Sequence, residues 1–348
     1  PWEILLSESQ ERMVLSVAPE HVERLFEICR DNNVEVTVLG EFTSDGHFSA
    51  TYEGREVMDL DMSFLHGGLP QRVLNAAWKR PSLDAHKIET PADWPGLYKK
   101  VMGHLNICSK DPIVRMYDHG VQGTSALPPF TGVHGDGPND AAILTPILGK
   151  PYGMVIAHGL NPVLNLIDPY YGSIWAAAEA VSNAVACGAN PAEITLIDNF
   201  IWPFPDEEQL GALDMAVDAC VDFVRATGMP FISGKDSLSS TYRGKDGTVI
   251  RIPPVLCVSA FGRIPDAAKT VSADFKATGS HIVLFGYRDT KEMAGSVYCQ
   301  IHDDLGNNLP RINPDNLMRV LKTLYHAVGS GKLQACHDIS EGGLAAAL

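Results

Sequence analysis

Between residues 140 and 265 the sequence alternates runs of strand character with runs of helix character. This alternation constrains the fold more than any other feature. "DAAILTPIL" and "GMVIAHG" read as strands. "PYYGSIWAAAEAVSNAVACG" reads as a helix, with Pro169 near its start and Gly188 after its end. "AEITLIDNF" is a buried strand. "DEEQLGALDMAVDACVDFVRATG" is a second helix, with acids in its first turn and Leu210, Leu213, Val217, Val221 and Val224 as its apolar positions. "MPFISGKDSLSSTY" runs from strand to loop, and "IPPVLCVSAFGRI" is another strand. Strands and helices in this order predict an α+β fold with layered α/β character. A hydrophobic content of 45% is ample for its core.

The flanks read as further units. Over residues 1–70, "MVLSV" and "VEVTVLGEF" have strand character, and Pro19 opens the helix "PEHVERLFEICR". The Asp-Gly of "TSDGHFSATYEG" signals a hairpin, followed by "REVMDLDMSFL". Residues 71–95 are rich in Pro and charge and read as a linker. The 96–265 unit opens with a helix near "WPGLYKKVMGHLNIC" and a long polar loop, "YDHGVQGTSALPPFTGVHGDGPND". Residues 266–348 start a new unit, with the strand-like "HIVLFGYRD", the helix "NPDNLMRVLKTLYHAVGSG" and the turn "CHDISEGG".

A formal charge of −15 and the lack of a local basic patch argue against nucleic acid as a partner. No stretch approaches the ~20 apolar residues of a membrane span. The seven cysteines are scattered and form no C-x-x-C pair, as expected of reduced thiols in a cytoplasmic protein. The opening "PWEILLSESQERM" and the closing "GGLAAAL" read as cuts through a longer polypeptide.

Several residues could carry chemistry, each with a plainer alternative. Asp168 before Pro169 reads as an N-cap. Glu179 and Asn183, at i and i+4, share a helix face and could offer oxygen donors to Mg²⁺, or simply form a solvated face. Asp198 closes a buried strand, where α/β sheets present ligand groups, or caps a turn. "SGKDSLS" suits phosphate contact but lacks the first glycine of a Walker A loop. Asp140 could bind metal or sit in a turn. "HDISEGG" could present backbone N–H groups to phosphate with Asp338 on Mg²⁺, or be a capping turn with Ser340 as N-cap. No Ser-His-Asp, Cys-His or metal-spaced histidine set is evident, and none of the twelve scattered histidines stands out as a general base.

Together, "PWEILLSESQERM", "YDHGVQGT", "LIDPYYGSIWAAAEAVSNAVACGANPAEITLIDNF", "FISGKDSLSSTYRG" and "CHDISEGGLAAAL" resemble successive motifs of the phosphoribosylformylglycinamidine synthase family, within the aminoimidazole ribonucleotide synthetase-like superfamily. The resemblance implies an aminoimidazole ribonucleotide synthetase-like N-domain plus partial C-domains. Residues 1–70 would be the tail of a first C-domain, 71–95 a linker, 96–265 the second N-domain, and 266–348 the truncated start of the second C-domain. It implies an ATP- and Mg²⁺-dependent carbon–nitrogen ligase in purine biosynthesis. Such an enzyme converts formylglycinamide ribonucleotide to the amidine with ammonia from a glutaminase subunit or domain. By motif, Glu8, Ser9, Gln10 and Ser237 would contact substrate. Asp198, Gly234, Lys235 and Ser340 would contact nucleotide, and Glu179, Asn183, Asp338 and Asp140 would hold metal. The family's His-Asn-His-Pro-Ser motif is absent, so no catalytic residue is assigned and this chain by itself is expected to be inactive. The alternatives are a non-catalytic Mg–ADP-binding structural module and another ATP-dependent enzyme of the superfamily. A homodimer of the chain is also open.

Overall fold

The computed structural model describes residues 2–87 and 89–348. Pro1 and Ile88, which fall in the segments read as first-domain tail and linker, lie outside the described residues. The chain divides into two compact units, Pro1–Val73 and Leu74–Leu348.

In the first unit, helix α1 spans Val22–Asp31, strands β1 and β2 span His47–Tyr52 and Arg55–Asp61, and helix α2 spans Met62–Gly67. The two strands pair antiparallel, with Tyr52 opposite Arg55. The hairpin therefore turns at Glu53–Gly54, whose φ values of 50° and 75° are both left-handed. Such a two-residue turn matches the strand twist. The Asp-Gly pair, Asp45–Gly46, instead leads into β1, where Asp45 Oδ1 accepts from the His47 amide.

The second unit is built on a six-stranded sheet. Its strands are β3 (Ser125–Leu127), β4 (Ala142–Leu144), β5 (Gly153–Gly159), β6 (Thr195–Ile201), β7 (Phe231–Ser237) and β8 (Val255–Ile264). The spatial order is β3-β4-β5-β8-β6-β7. All neighbours are antiparallel except β6 and β7, whose parallel pairing requires the crossover helix between them.

Helix α3 spans Trp94–Met102, α4 Pro162–Ile167, α5 Pro169–Ala186, α6 Glu207–Thr227, α7 Pro314–Gly329 and α8 Gly343–Ala347. The core lies between one sheet face and α5 and α6, with α7 added at its margin. It joins Val155, Ala157, Leu196, Phe200, Leu256 and Val258 of the sheet to Val181, Val185, Phe223 and Leu321 of the helices. The alanines of α5 (Ala176, Ala177, Ala180 and Ala184) are fully buried and let the helix lie close to the strands. Asp168 caps α5 as expected. Its Oδ1 accepts from the amides of Tyr170 and Tyr171, and its Oδ2 takes Arg80 at 2.8 Å.

Some strand expectations fail. "MVLSV", "VEVTVLGEF" and "HIVLFGYRD" form no strand, and the strand within "DAAILTPIL" is only Ala142–Leu144. Met13, Leu39, Phe42, Val283 and Tyr287 are largely exposed. Alternation selects a face but cannot supply a ladder partner, and none of these three segments finds one among the described residues.

Candidate functional site

The carboxyl end of β5 and the middle of α5 meet at Gly159. A Cβ there would lie 2.3 Å from the Ala176 carbonyl oxygen and 2.6 Å from the Ala180 nitrogen, so only glycine permits this approach. The contact lets α5 side chains reach strand backbone. Glu179 Oε2 accepts from the Leu160 amide at 2.8 Å, and Asn183 Nδ2 donates to the His158 carbonyl at 3.0 Å. With its amide nitrogen engaged, Asn183 keeps its carbonyl oxygen as a free acceptor.

The turn read as "HDISEGG" folds onto this place. The Asp338 amide donates to Asp140 Oδ2 at 3.1 Å, and His337 Nδ1 hydrogen-bonds Asp140 Oδ1. One donor atom from each of Asp140, His337 and Asp338 lies within 4.8 Å of the other two. Glu341 joins from the same turn, its Oε1 accepting from Asn161 Nδ2 at 3.2 Å. Asn161 also caps α4 through its Oδ1, which fixes its orientation.

The electrostatics follow from this crowding. Burial, then the negative charges of Glu341, Asp338 and Asp140, push Glu179 up to about 9. Burial and the Asp140 charge push Asp338 up to about 7. Burial also raises Glu341. Among the described residues, no lysine or arginine makes an ion pair with any of these carboxylates, and His337 alone does so. An acidic oxygen-rich set lacking a resident cation is chemically matched to a hard divalent ion.

Asp198 lies on the same side of the sheet. Gly159, Val258, Asp198 and Gly234 are consecutive partners across β5, β8, β6 and β7. Two strand spacings, about 10 Å, separate Gly159 from Asp198. Asp198 lies two residues from each of the buried Leu196 and Phe200, and Gly159 two and four residues from Ala157 and Val155, so each shares their face toward the helices. Burial and Asp236 raise the Asp198 carboxyl, opposed by a hydrogen bond from the Lys235 amide. A Cβ on Gly234 would lie 1.8 Å from Asp198 Oδ1.

The structure thus gathers Asp140, Glu179 and Asp338 within electrostatic reach of one another, with Asn183 one turn along α5 from Glu179, and sets Asp198 and Gly234 on one row of the sheet. Lys235 and Ser237 alternate to the opposite face of β7 from Gly234. Ser340 does not serve as a side-chain cap. Helix α8 begins after Gly342, with no side-chain hydrogen bond, and the Ser340 carbonyl accepts from the Gly343 amide. Glu8, Ser9 and Gln10 belong to the first unit, where they form an exposed loop. Gln10 Nε2 donates to the Glu8 carbonyl, and Arg12 donates to the carbonyls of Ser7 and Ser9.

Two members of the cluster escaped the sequence reading, His337 and Glu341. Their signal is adjacency to Asp338 in "HDISEGG", which neither metal spacing along the chain nor a search for a catalytic set or general base detects.

Comparisons with known proteins add to this geometry. A profile of the AIR synthase related protein C-terminal domain matches residues 1–53, and one of the FGAR-AT PurM_N-like domain matches residues 109–263. The phosphoribosylformylglycinamidine synthase subunit PurL of Thermoplasma acidophilum is 31% identical over 100% of this chain, which covers 44% of that protein. Its counterpart from Methanosarcina acetivorans is 32% identical, again over 100% of this chain and 46% of its own length. The chain is a PurL homologue. It spans under half the length of the curated relatives it matches. Among solved structures, PurLQS from Thermotoga maritima aligns over 78% of this homologue and 41% of that chain, with a TM-score of 0.57 and 26% identity. T. maritima PurL complexed with ATP aligns over 78% and 40%, with a TM-score of 0.54 and 26% identity. T. maritima PurL complexed with FGAR aligns over 78% and 39%, with a TM-score of 0.55 and 26% identity. The homologue has mixed α/β architecture with PurM-like domains. Among its described residues, no helix is long and apolar enough to cross a membrane.

Proposed function

We propose that this chain is the Mg²⁺–nucleotide-binding portion of an ATP-dependent formylglycinamidine ribonucleotide synthase. The observation that carries the reading is the meeting of Asp140, Glu179, Asp338 and Glu341, drawn from three distant parts of the sequence, with no lysine or arginine paired to them among the described residues. Bound Mg²⁺ would supply positive charge to the phosphates of a nucleotide. Asp140, Asp338, Glu179 and the Asn183 carbonyl would hold it. Asp198, Gly234, Lys235 and Ser340 are assigned to nucleotide contact. Gly234 leaves room for the Asp198 carboxylate against the strand, and that carboxylate offers the acceptor. Ser237 and the Glu8–Gln10 loop are assigned to the ribonucleotide substrate.

The relatives crystallised with ATP and with FGAR support nucleotide and formylglycinamide ribonucleotide as ligands. The PurLQS assembly supports a glutaminase partner supplying ammonia. We assign residues 1–70 to a C-domain portion, 71–95 to a linker, 96–265 to an N-domain and 266–348 to a further C-domain portion. Since the His-Asn-His-Pro-Ser motif is not in the sequence, ligation is assigned to the whole enzyme and not to this chain alone.

A second reading has its own support. The cluster joins the 336–341 turn to the Asn161 cap of α4 and to Asp140 before β4, so a cation–ADP complex there would act as a structural tie without turnover. Calorimetry of Mg²⁺–ADP with the 348-residue chain tests the binding common to both readings. Saturable binding that is lost in Asp338→Asn is expected. Absence of binding to the folded chain overturns both. Ammonia- and ATP-dependent amidine formation by the longer enzyme, abolished or retained in Asp338→Asn, separates catalysis from tethering.

A further inference from the structure

We propose that His337 is a direct metal ligand, and that the centre therefore takes a first-row transition ion such as Mn²⁺ more tightly than Mg²⁺. The inference rests on the metal reading above and adds a nitrogen donor to it.

The geometry is compatible with one ion. Donor atoms at ~2.1 Å from a six-coordinate cation stand about 3 Å apart when adjacent and about 4.2 Å apart when opposite. The donor atoms of Asp140, His337 and Asp338 already lie within 4.8 Å of one another. His337 Nδ1 and Asp140 Oδ1, now in hydrogen-bond contact, need only part slightly to admit the ion between them.

Two further features favour the imidazole as a ligand. The backbone pins His337 on both sides: the Cys336 amide donates to the Ser272 carbonyl, and the Asp338 amide donates to Asp140 Oδ2. The main chain at His337 is thus held independently of the ring's own hydrogen bond. The Asp140 side chain is only 3% exposed, whereas that of His337 is 34% exposed, so an ion enters past the ring. An ion held by Nδ1 and Asp140 Oδ1 would replace the hydrogen between them, releasing that proton to solvent or leaving it on Nε2 of the neutral ring.

Donor chemistry then sets the preference. Carboxylates and amide oxygens suit Mg²⁺ and Mn²⁺ alike, whereas an imidazole nitrogen favours transition ions. Glu179 and the Asn183 carbonyl complete an oxygen-rich remainder, which keeps Mg²⁺ as a competent occupant.

The test is pulsed electron paramagnetic resonance of Mn²⁺ bound to the whole chain, alongside Mg²⁺ competition. The expected result is ¹⁴N coupling to the Mn²⁺ and affinity at least about tenfold tighter than for Mg²⁺. In His337→Gln, with its fold checked by circular dichroism, the coupling should vanish and the preference for Mn²⁺ fall to within about threefold. Wild-type Mn²⁺ bound without ¹⁴N coupling overturns the assignment whether or not the variant folds, and leaves the Mg²⁺ reading intact. An unchanged preference in a folded His337→Gln does the same. Failure of the folded wild-type chain to bind either ion removes both the inference and the reading beneath it.

Discussion

Gly159→Ala should both destabilise the second unit and dismantle the cluster. The new Cβ would fall 2.3 Å from the Ala176 oxygen, 2.6 Å from the Ala180 nitrogen and 2.8 Å from the Glu179 Cβ. Two of these three atoms belong to helix backbone and have no rotamer to escape into. Ordinary van der Waals contact begins near 3.4 Å, so α5 must recede by about 1 Å. Gaps of 0.5–1 Å forfeit a quarter to a half of each dispersion contact. The face that recedes carries the buried Ala176, Ala180 and Val181. Overpacking against backbone costs about 3 kcal/mol, which corresponds to a fall of roughly 6–12 °C in Tm. The same shift stretches the Glu179–Leu160 and Asn183–His158 hydrogen bonds, now 2.8 and 3.0 Å. Differential scanning calorimetry measures the first effect, and Mg²⁺ titration of the folded variant at low temperature measures the second. A Tm within about 1 °C of wild type, with unaltered Mg²⁺ affinity, would refute the packing argument.

Further predictions concern charge, capping and close approach. In the absence of divalent ions, stability should fall as pH rises. Glu179 is held at about 9 against an ordinary 4.5, so the folded state binds the extra proton between these values. Urea unfolding at pH 6 and pH 9 should show this slope in wild type and a shallower one in Glu179→Gln; equal slopes would contradict it. Adding Mg²⁺ should raise Tm more at pH 9 than at pH 6, because the ion competes with that proton; scanning calorimetry with and without chelator gives the comparison. Asp168→Ala removes the α5 cap and strips Arg80 of its partner, so a loss of about 1–2 kcal/mol in urea unfolding is expected. Gly234→Ala displaces the Asp198 carboxylate, whose Oδ1 lies 1.8 Å from the added methyl. It should weaken nucleotide binding several-fold in calorimetry while leaving Tm nearly unchanged, since the strand is exposed at that point.

The parts of the fold legible in sequence are those whose signals are local. Asp168 with Pro169 announced the start of α5, and Asp206 with Gly228 brackets α6 as caps do. The i, i+4 spacing of Glu179 and Asn183 correctly put them on one helix face, because helix geometry alone fixes that relation. Strands were less legible. Residues 34–42 and 281–289 have the composition of strands and remain unpaired, whereas Phe231–Ser237, which ends in Lys235, Asp236 and Ser237, is held by β6.

The primary structure by itself therefore determined the order of elements, their caps and the residue types able to hold a cation or a phosphate. Only the tertiary structure decided which of them meet. Asp140 and His337 are nearly two hundred positions apart, and neither carries any local sign of the other. Their contact depends on the return of the 336–341 turn to the start of β4, where the Asp338 amide also bonds Asp140. A pattern along the chain encodes short-range geometry, whereas a metal centre is assembled from long-range contacts that exist only once the core has closed.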